Sequence, residues 1–212
     1  EVSGIPVVLS TNLIEATWDT GAYVQTSGVL KRIAVKLSKI CNDLRLLSSG
    51  PRTGINEINL PRLQPGSSIM PGKVNPVIPE VVSQVAFDII GKDVTITMAA
   101  EAGQLELNVM EPIIAFSLSN GIHRLRQAMR TLQDRCVSGI TANKERCRSM
   151  VENSIGIITA LNPYLGYETS ASIAKEALET DGSVLDIVLA RNLLSREKLD
   201  DILAPEHMIN RK

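Results

Sequence analysis

The residue types best suited to chemistry lie together in one loop, Gly66-Ser67-Ser68-Ile69-Met70-Pro71-Gly72-Lys73-Val74-Asn75-Pro76. This loop supplies two hydroxyls, an ammonium and a carboxamide, and its glycines let backbone N–H groups approach a ligand closely. Such a donor set suits a carboxylate, and it suits even better a carboxylate that gains negative charge in a transition state. From composition alone, an ordinary surface loop is the commoner interpretation of a stretch rich in Gly, Ser and Pro.

Spacing excludes two other kinds of site. The loop is not a phosphate-binding P-loop, because Gly66 and Gly72 are one residue too far apart and Val74 follows Lys73 where that motif requires Ser or Thr. The chain has three widely spaced cysteines, which are Cys41, Cys136 and Cys147. Because they form no Cys-x-x-Cys pair, they are expected to be small buried residues in a reducing compartment, rather than a disulfide framework or a zinc site.

Composition and charge indicate a globular chain without a strong electrostatic partner. Of its 212 residues, 44% are hydrophobic and 21% are charged, and the formal net charge is −1. This balance excludes disorder and gives no basis for binding nucleic acid or an anionic membrane surface. No apolar run approaches a membrane span and no signal-peptide pattern is visible, so we expect a cytoplasmic protein. Because the chain begins with Glu1 instead of Met, we expect it to be a piece of a longer polypeptide.

Helical spacing of the apolar residues predicts an all-α fold, because aromatic residues are only 3% of the chain. Asn12 and Asn108 each precede a Glu by three residues, which is typical of a helix start. Pro79, followed by Glu80, is typical of a first helical turn. Three long helices are therefore expected over residues 12–47, 79–100 and 108–139, with Gly21 and Gly28 as candidate kinks in the first.

The pattern changes near Ile140, where shorter segments separated by turn residues begin. These turn residues are Asn162-Pro163, Gly166, Asp181-Gly182-Ser183 and Pro205. We therefore expect two domains: residues 1–139, part of a helical bundle that includes the loop 66–76, and residues 140–212, a small helical domain. The helix over 79–100 has apolar residues nearly all round, which predicts burial against other subunits.

The segment 66–76 resembles the signature of the fumarase/aspartase superfamily, a Ser-Ser-x-Met-Pro-x-Lys-x-Asn-Pro loop. The flanking segments 77–80 and 101–108 resemble the ammonia-lyase branch more than the class II fumarate hydratase branch. The resemblance extends from Asn12 to Ile202 and identifies the chain as the C-terminal half of such an enzyme. It implies the later helices of the superfamily's central helical bundle, followed by a small helical C-terminal domain.

The resemblance implies a reaction, the elimination of ammonia from L-aspartate to give fumarate, with no cofactor and no metal ligand. Ser67 is then the general base that removes the Cβ proton, and Ser68 binds the β-carboxylate together with nearby loop amides. Lys73 and Asn75 bind carboxylate oxygens of the substrate. These donors would stabilise the aci-carboxylate dianion of the transition state more than the substrate, and Ser67 would act as an alkoxide.

Glu80 occupies the position of a superfamily carboxylate that pairs with an active-site histidine. A glutamate in the first turn of a helix also interacts favourably with the helix macrodipole, and this explains the residue equally well. Neither His123 nor His207 lies in the Thr-His segment of the superfamily, so surface or packing roles are expected for both.

In the superfamily, three subunits of a homotetramer together form each active site. The Thr-rich carboxylate-binding segment and the Thr-His segment lie before this region and are missing from the chain, so the chain alone is expected to be inactive. Two alternatives stay open: a class II fumarate hydratase with the same loop, and a non-catalytic helical oligomerisation module. The presence of Ser67 and Lys73 favours an enzyme over the module.

Overall fold

The structure, a computed structural model, describes residues 4–64, 69–70, 72–204 and 207. Most of these residues are α-helical, which confirms the predicted all-α class, and the chain divides into two compact units between Ala142 and Asn143. The first unit contains α1 (Leu13–Trp18), α2 (Gly21–Leu47), β1 (Ile58–Asn59), α3 (Val77–Glu101), α4 (Glu111–Arg135) and β2 (Thr141–Ala142). The second unit contains α5 (Lys144–Glu152), α6 (Ile158–Leu165), α7 (Tyr167–Thr180), α8 (Val184–Ala190) and α9 (Arg196–Ile202).

The first predicted helix is interrupted between α1 and α2. Asn12 caps α1 as expected, because its Oδ1 accepts a hydrogen bond from the Glu15 N–H at 3.2 Å. Asp19 then adopts an extended conformation, and its Oδ1 accepts from the Gly21 N–H at 2.9 Å. An Asp side chain bonded to a nearby backbone N–H competes with helical hydrogen bonds, so the chain turns here. The predicted helical segment is therefore two helices, divided next to Gly21, one of the two glycines at which a kink is expected, and its predicted end at Leu47 is confirmed.

Asn108 joins the end of α3 to the start of α4, so its predicted role as the cap of α4 is wrong. The N-cap residue of α4 is Met110. Asn108 is buried, and its Nδ2 donates to the carbonyl oxygens of Ala99 and Ala100 at 3.0 and 3.2 Å. Its Oδ1 accepts from the Met110 N–H at 2.8 Å. The last carbonyls of a helix lack intrahelical partners, and this amide satisfies two of them while it orients the next helix.

α3 is buried on one side within the described residues. It begins at Val77, two residues before the predicted start, so that Pro79 lies in the first turn, where its missing N–H is tolerated. Its buried apolar face includes Val82, Ala86, Ile89 and Ile96. Its opposite face exposes Phe87, Val94 and Met98. Burial of this second face against other subunits stays a prediction.

A buried carboxylate lies between α2 and α3. Ser27 Oγ donates to Asp93 Oδ1 at 2.8 Å, and Lys31 Nζ donates to Asp93 Oδ2 at 2.5 Å. Burial alone would raise the pKa of Asp93, but the hydrogen bonds from Lys31 and Ser27 and the Lys31 charge bring it below its usual value. Asp93 is therefore ionised at neutral pH and links the middle of α3 to α2.

The second unit has a core of its own, formed mainly by α6, α7, α8 and α9. Asn162-Pro163 lies inside α6, so the turn predicted there is wrong. Leu161 and Leu165, which flank Pro163, pack in this core, and their burial outweighs the helical hydrogen bond that proline removes. Gly166, with a φ of 77°, ends α6 as predicted. No helix in the described ranges is both long enough and apolar enough to cross a membrane.

Replacing Lys31 by alanine is expected to lower the free energy of unfolding by about 1–2 kcal/mol at neutral pH, because the buried Asp93 carboxylate loses a charged donor. Since the folded pKa of Asp93 lies below its unfolded value of about 3.9, this contribution exists above that pH and disappears as the pH falls through the folded pKa. Urea unfolding of the purified chain between about pH 3 and pH 7 measures both effects. The control Lys39→Ala removes an exposed pair with Asp43 on the same helix and should cost less than about 0.5 kcal/mol. Equal costs for the two variants would contradict the assignment.

Candidate functional site

Of the site residues predicted from the sequence, the structure describes Lys73, Asn75 and Glu80. Ser67 and Ser68 lie outside the described residues, so their roles stay predictions. Lys73 and Asn75 lie immediately before α3, and Glu80 lies in its first turn. The part of the site that is visible is therefore the end of the loop and the beginning of one helix.

Lys73 follows a tight turn. Gly72 has a φ of 83°, in the left-handed region that favours glycine, and the Lys73 N–H donates to the Met70 carbonyl at 3.3 Å. The Lys73 side chain is exposed. Among the residues that the structure describes, no carboxylate forms an ion pair with its ammonium. The exposed ammonium is therefore accessible to an anionic ligand from solvent.

The N-terminus of α3 adds to the positive potential at this place. Pro76 is the N-cap residue and makes no side-chain cap, and the helix that follows has 25 residues. Aligned peptide dipoles concentrate partial positive charge at the start of such a helix. The Lys73 ammonium, the Asn75 carboxamide and this helix end are consecutive in the chain, so the local electrostatics favour a carboxylate.

Glu80 is half-buried, and its backbone N–H donates to the Pro76 carbonyl at 3.2 Å. A carboxylate in this turn interacts favourably with the helix dipole, which is the interpretation of Glu80 that involves no histidine partner. His123 is exposed on α4, and His207 Nδ1 lies 2.6 Å from the Asp201 carbonyl oxygen. Pairing of Glu80 with a histidine stays a prediction.

The start of α3 is positioned by a group of core residues that we call the base cluster. Its buried members are Cys41, Val82, Ala128, Leu132 and Cys136, and Leu60 and Ile78 are among the partly buried residues packed against it. The cluster joins α2, α3 and the end of α4 to the segment that follows β1. Close packing of this kind allows little movement of the helix end, so the residues before α3 start from a rigid platform.

A small cavity lies next to the base cluster. Its walls include Asn75 and the residues 76–79 on one side, Leu60 and Pro61 on another, and Arg135 with Cys136 at the end of α4. Arg135 and Cys136 are therefore neighbours of Asn75 that sequence analysis did not find. No motif or periodicity relates these distant parts of the chain, so only the packing of α3 against α4 reveals that they line the same cavity.

The surroundings of Cys41 and Cys136 in the base cluster make both thiols unreactive. Burial, followed by the nearby Cys136 thiol, raises the pKa of Cys41 to about 11, and burial raises the pKa of Cys136. Both side chains are buried as predicted, whereas Cys147 is half-buried, and none of the three forms a disulfide. Within the described part of the chain, no group of three His, Cys, Asp or Glu residues is placed to bind a metal ion.

Comparison with known proteins agrees with the fold and the loop. The sequence model of a family described as "Lyase" matches residues 1–91, and that of a family described as "Fumarase C C-terminus" matches residues 157–210. Aspartate ammonia-lyase of Helicobacter pylori is 65% identical over 210 residues, which are 99% of this chain and 45% of that protein. The chain therefore spans about half the length of the curated relatives that it matches.

Solved structures give the same result. A fumarate lyase:delta crystallin of Brucella melitensis superposes with a TM-score of 0.93 at 54% identity, over 99% of this chain and 45% of that one. A class II fumarase of Schistosoma mansoni superposes with a TM-score of 0.85 at 38% identity, over 95% of this chain and 42% of that one. The two long helices α3 and α4, with the loop that contains Lys73 before α3, thus place the chain in the class of helical-bundle lyases. The chain belongs to the fumarase/aspartase superfamily.

Under native conditions at about pH 8, iodoacetamide is expected to label Cys147 at least tenfold faster than Cys41 or Cys136. The thiolate is the reactive form, and burial raises the pKa of the latter two thiols and blocks access to them. Mass spectrometry of tryptic peptides over a time course measures the three rates separately. In denaturing urea the rates should converge, which serves as the control. Fast native labelling of Cys136 would contradict the closed packing at the end of α4.

Proposed function

We propose that this chain is part of an aspartate ammonia-lyase that converts L-aspartate to fumarate and ammonia. The relative at 65% identity is named for this reaction, whereas the class II fumarase structure is 38% identical. The observation that supports the proposal most directly is the exposed Lys73 ammonium beside Asn75 at the positive end of α3. A dicarboxylic substrate meets at this place the donors that its carboxylates require.

The chemistry assigned to the loop is a proton abstraction followed by the loss of ammonia. Ser67, acting as an alkoxide, removes the Cβ proton, and the electron pair of that C–H bond moves into the adjacent carboxylate as an aci-carboxylate dianion. The pair then forms the Cα–Cβ double bond while the Cα–N bond breaks and ammonia leaves with its electrons. Ser68, Lys73 and Asn75 bind the carboxylate oxygens, and they contribute most where the negative charge is greatest.

We further propose that the enzyme is a cytoplasmic homotetramer whose active sites are shared between subunits. The exposed apolar face of α3, formed by Phe87, Val94 and Met98, supports burial against other copies. The chain also spans about half the length of its relatives, so the remaining site residues belong to other parts of the enzyme. Three cysteines without a disulfide fit a reducing compartment. The proposed elimination is assigned to Ser67, Ser68, Lys73 and Asn75 and involves no cofactor.

The first test uses the full-length enzyme, meaning the polypeptide that joins this chain to the additional length of its relatives. Offered L-aspartate and L-malate in parallel, it is expected to release fumarate from L-aspartate only. The loop residues serve the elimination step that both branches of the superfamily share, whereas residues that differ between the branches determine whether ammonia or water leaves. The ultraviolet absorbance of fumarate measures both reactions. The 212-residue chain alone is the control and should show no turnover.

Each other outcome of this test contradicts a different part of the proposal. Fumarate from L-malate alone would make the enzyme a fumarate hydratase. No fumarate from either substrate would favour the non-catalytic oligomerisation module. Detectable turnover by the isolated chain would contradict the sharing of the site between subunits.

Substitutions in the loop test the residue roles in the same full-length enzyme. Ser67→Ala is expected to abolish proton abstraction with an unchanged melting temperature, and Lys73→Ala should lower kcat about 100-fold and also raise KM, because removal of one transition-state donor typically has this effect. The control is Lys144→Ala, which removes an exposed lysine of α5 and should leave both constants unchanged. An unchanged kcat with only a raised KM would restrict Lys73 to ground-state binding, and near-normal turnover of Ser67→Ala would exclude Ser67 as the base.

A further inference from the structure

Gly139 and Pro61 touch at the place where the segment before the loop crosses the end of α4. A Cβ atom added at Gly139 would lie 2.6 Å from Pro61 Cγ, a distance far below van der Waals contact. The φ of Gly139 is not in the left-handed region, so its backbone would accept alanine. The close approach of the proline ring is therefore the reason that this position needs glycine.

Pairing of β1 with β2 restricts movement of the chain next to this contact. β1 pairs antiparallel with β2, with Ile58 opposite Ala142 and Asn59 opposite Thr141. In addition, Asn59 Nδ2 donates to Thr141 Oγ1 at 3.2 Å. Leu60 packs against the base cluster. The two strands thus connect the segment before the loop directly to the segment after α4, and they hold the chain immediately before Pro61.

Pro61 also borders the residues that follow the loop. It lines the same small cavity as Asn75 and Pro76, and Cys136 of the base cluster forms part of the same wall. Pro61, which precedes the loop, and Asn75, near its end, therefore border the same space beside the end of α4. A displacement of Pro61 toward this cavity would change the surroundings of Asn75 and the start of α3.

We propose that Gly139 is a positioning residue for the loop, a role that rests on the proposed lyase function. By allowing Pro61 to lie directly against the segment that follows α4, it sets the position of Pro61 relative to Asn75, and hence the placement of Asn75 and of Lys73 two residues before it. Lengthening the distance of 2.6 Å between the added Cβ and Pro61 Cγ to ordinary contact at about 3.5 Å requires a movement close to 1 Å. A misplacement of that size in a catalytic group can lower a rate about 100-fold.

The test is a double-substitution cycle in the full-length enzyme. Gly139→Ala is expected to lower kcat/KM for L-aspartate at least tenfold at temperatures well below the melting point. Pro61→Ala removes Cγ and leaves Cβ at 3.6 Å from the new methyl, which is ordinary contact. The double variant should therefore return to within about threefold of Pro61→Ala alone. Ser138→Ala, at the exposed neighbouring position, is the control and should match the wild type.

Hydrogen–deuterium exchange of the peptide covering residues 72–79 provides a readout that does not depend on activity. Exchange should be faster in Gly139→Ala and normal in the double variant, whereas a general loss of stability would raise exchange elsewhere too and would not be rescued by Pro61→Ala. A double variant as slow as Gly139→Ala, or a Gly139→Ala enzyme with wild-type rates, would overturn the inference. A wild-type enzyme without lyase activity would overturn the proposed function, and the exchange experiment would still decide whether Gly139 positions this segment.

Discussion

Antiparallel packing of α3 against α4 is the constraint on which the candidate site depends. Near one end of the pair, Ile96 and Ala99 pack with Ile114 and Leu118. The two helices have the same length of 25 residues, so the start of α3 lies beside the end of α4. The base cluster closes that end. Because of this geometry, the loop that precedes α3 meets the segment that follows α4, although the two are far apart in the sequence.

Buried polar groups fix the register of α3 against α2 and the connection of α3 to α4. Small apolar side chains such as Ala86 and Ala99 let helices approach closely, but apolar attraction has no preferred direction and does not by itself select one register. Asp93 does, since a shifted α3 would remove its carboxylate from Ser27 and Lys31 and leave it buried without partners. Asn108 fixes the other end of α3 in the same way. The position of the loop end is therefore determined by hydrogen bonds made elsewhere along α3.

The helices could be predicted because their apolar residues recur at helical spacing, and the residue types of the loop predict its affinity for a carboxylate. Asn12 and Asn108 show where such reasoning stops, since both precede a Glu by three residues and yet only Asn12 caps a helix. Asn108 instead donates to the last carbonyls of the preceding helix, a pairing that the local cap pattern does not encode. The nearness of Arg135 to Asn75 likewise follows from tertiary packing and leaves no trace in either local pattern.

The same packing creates an electrostatic problem beside the loop, and the chain contains its solution. Antiparallel helices place the positive end of one dipole next to the negative end of the other, so the end of α4 would repel a dicarboxylate that approaches the start of α3. Arg135 occupies the last turn of α4, where a cation offsets the negative end of the dipole, and it lines the cavity beside Asn75. With Arg135 offsetting the dipole of α4, the neighbouring helix no longer opposes the positive charge of Lys73 and of the α3 N-terminus.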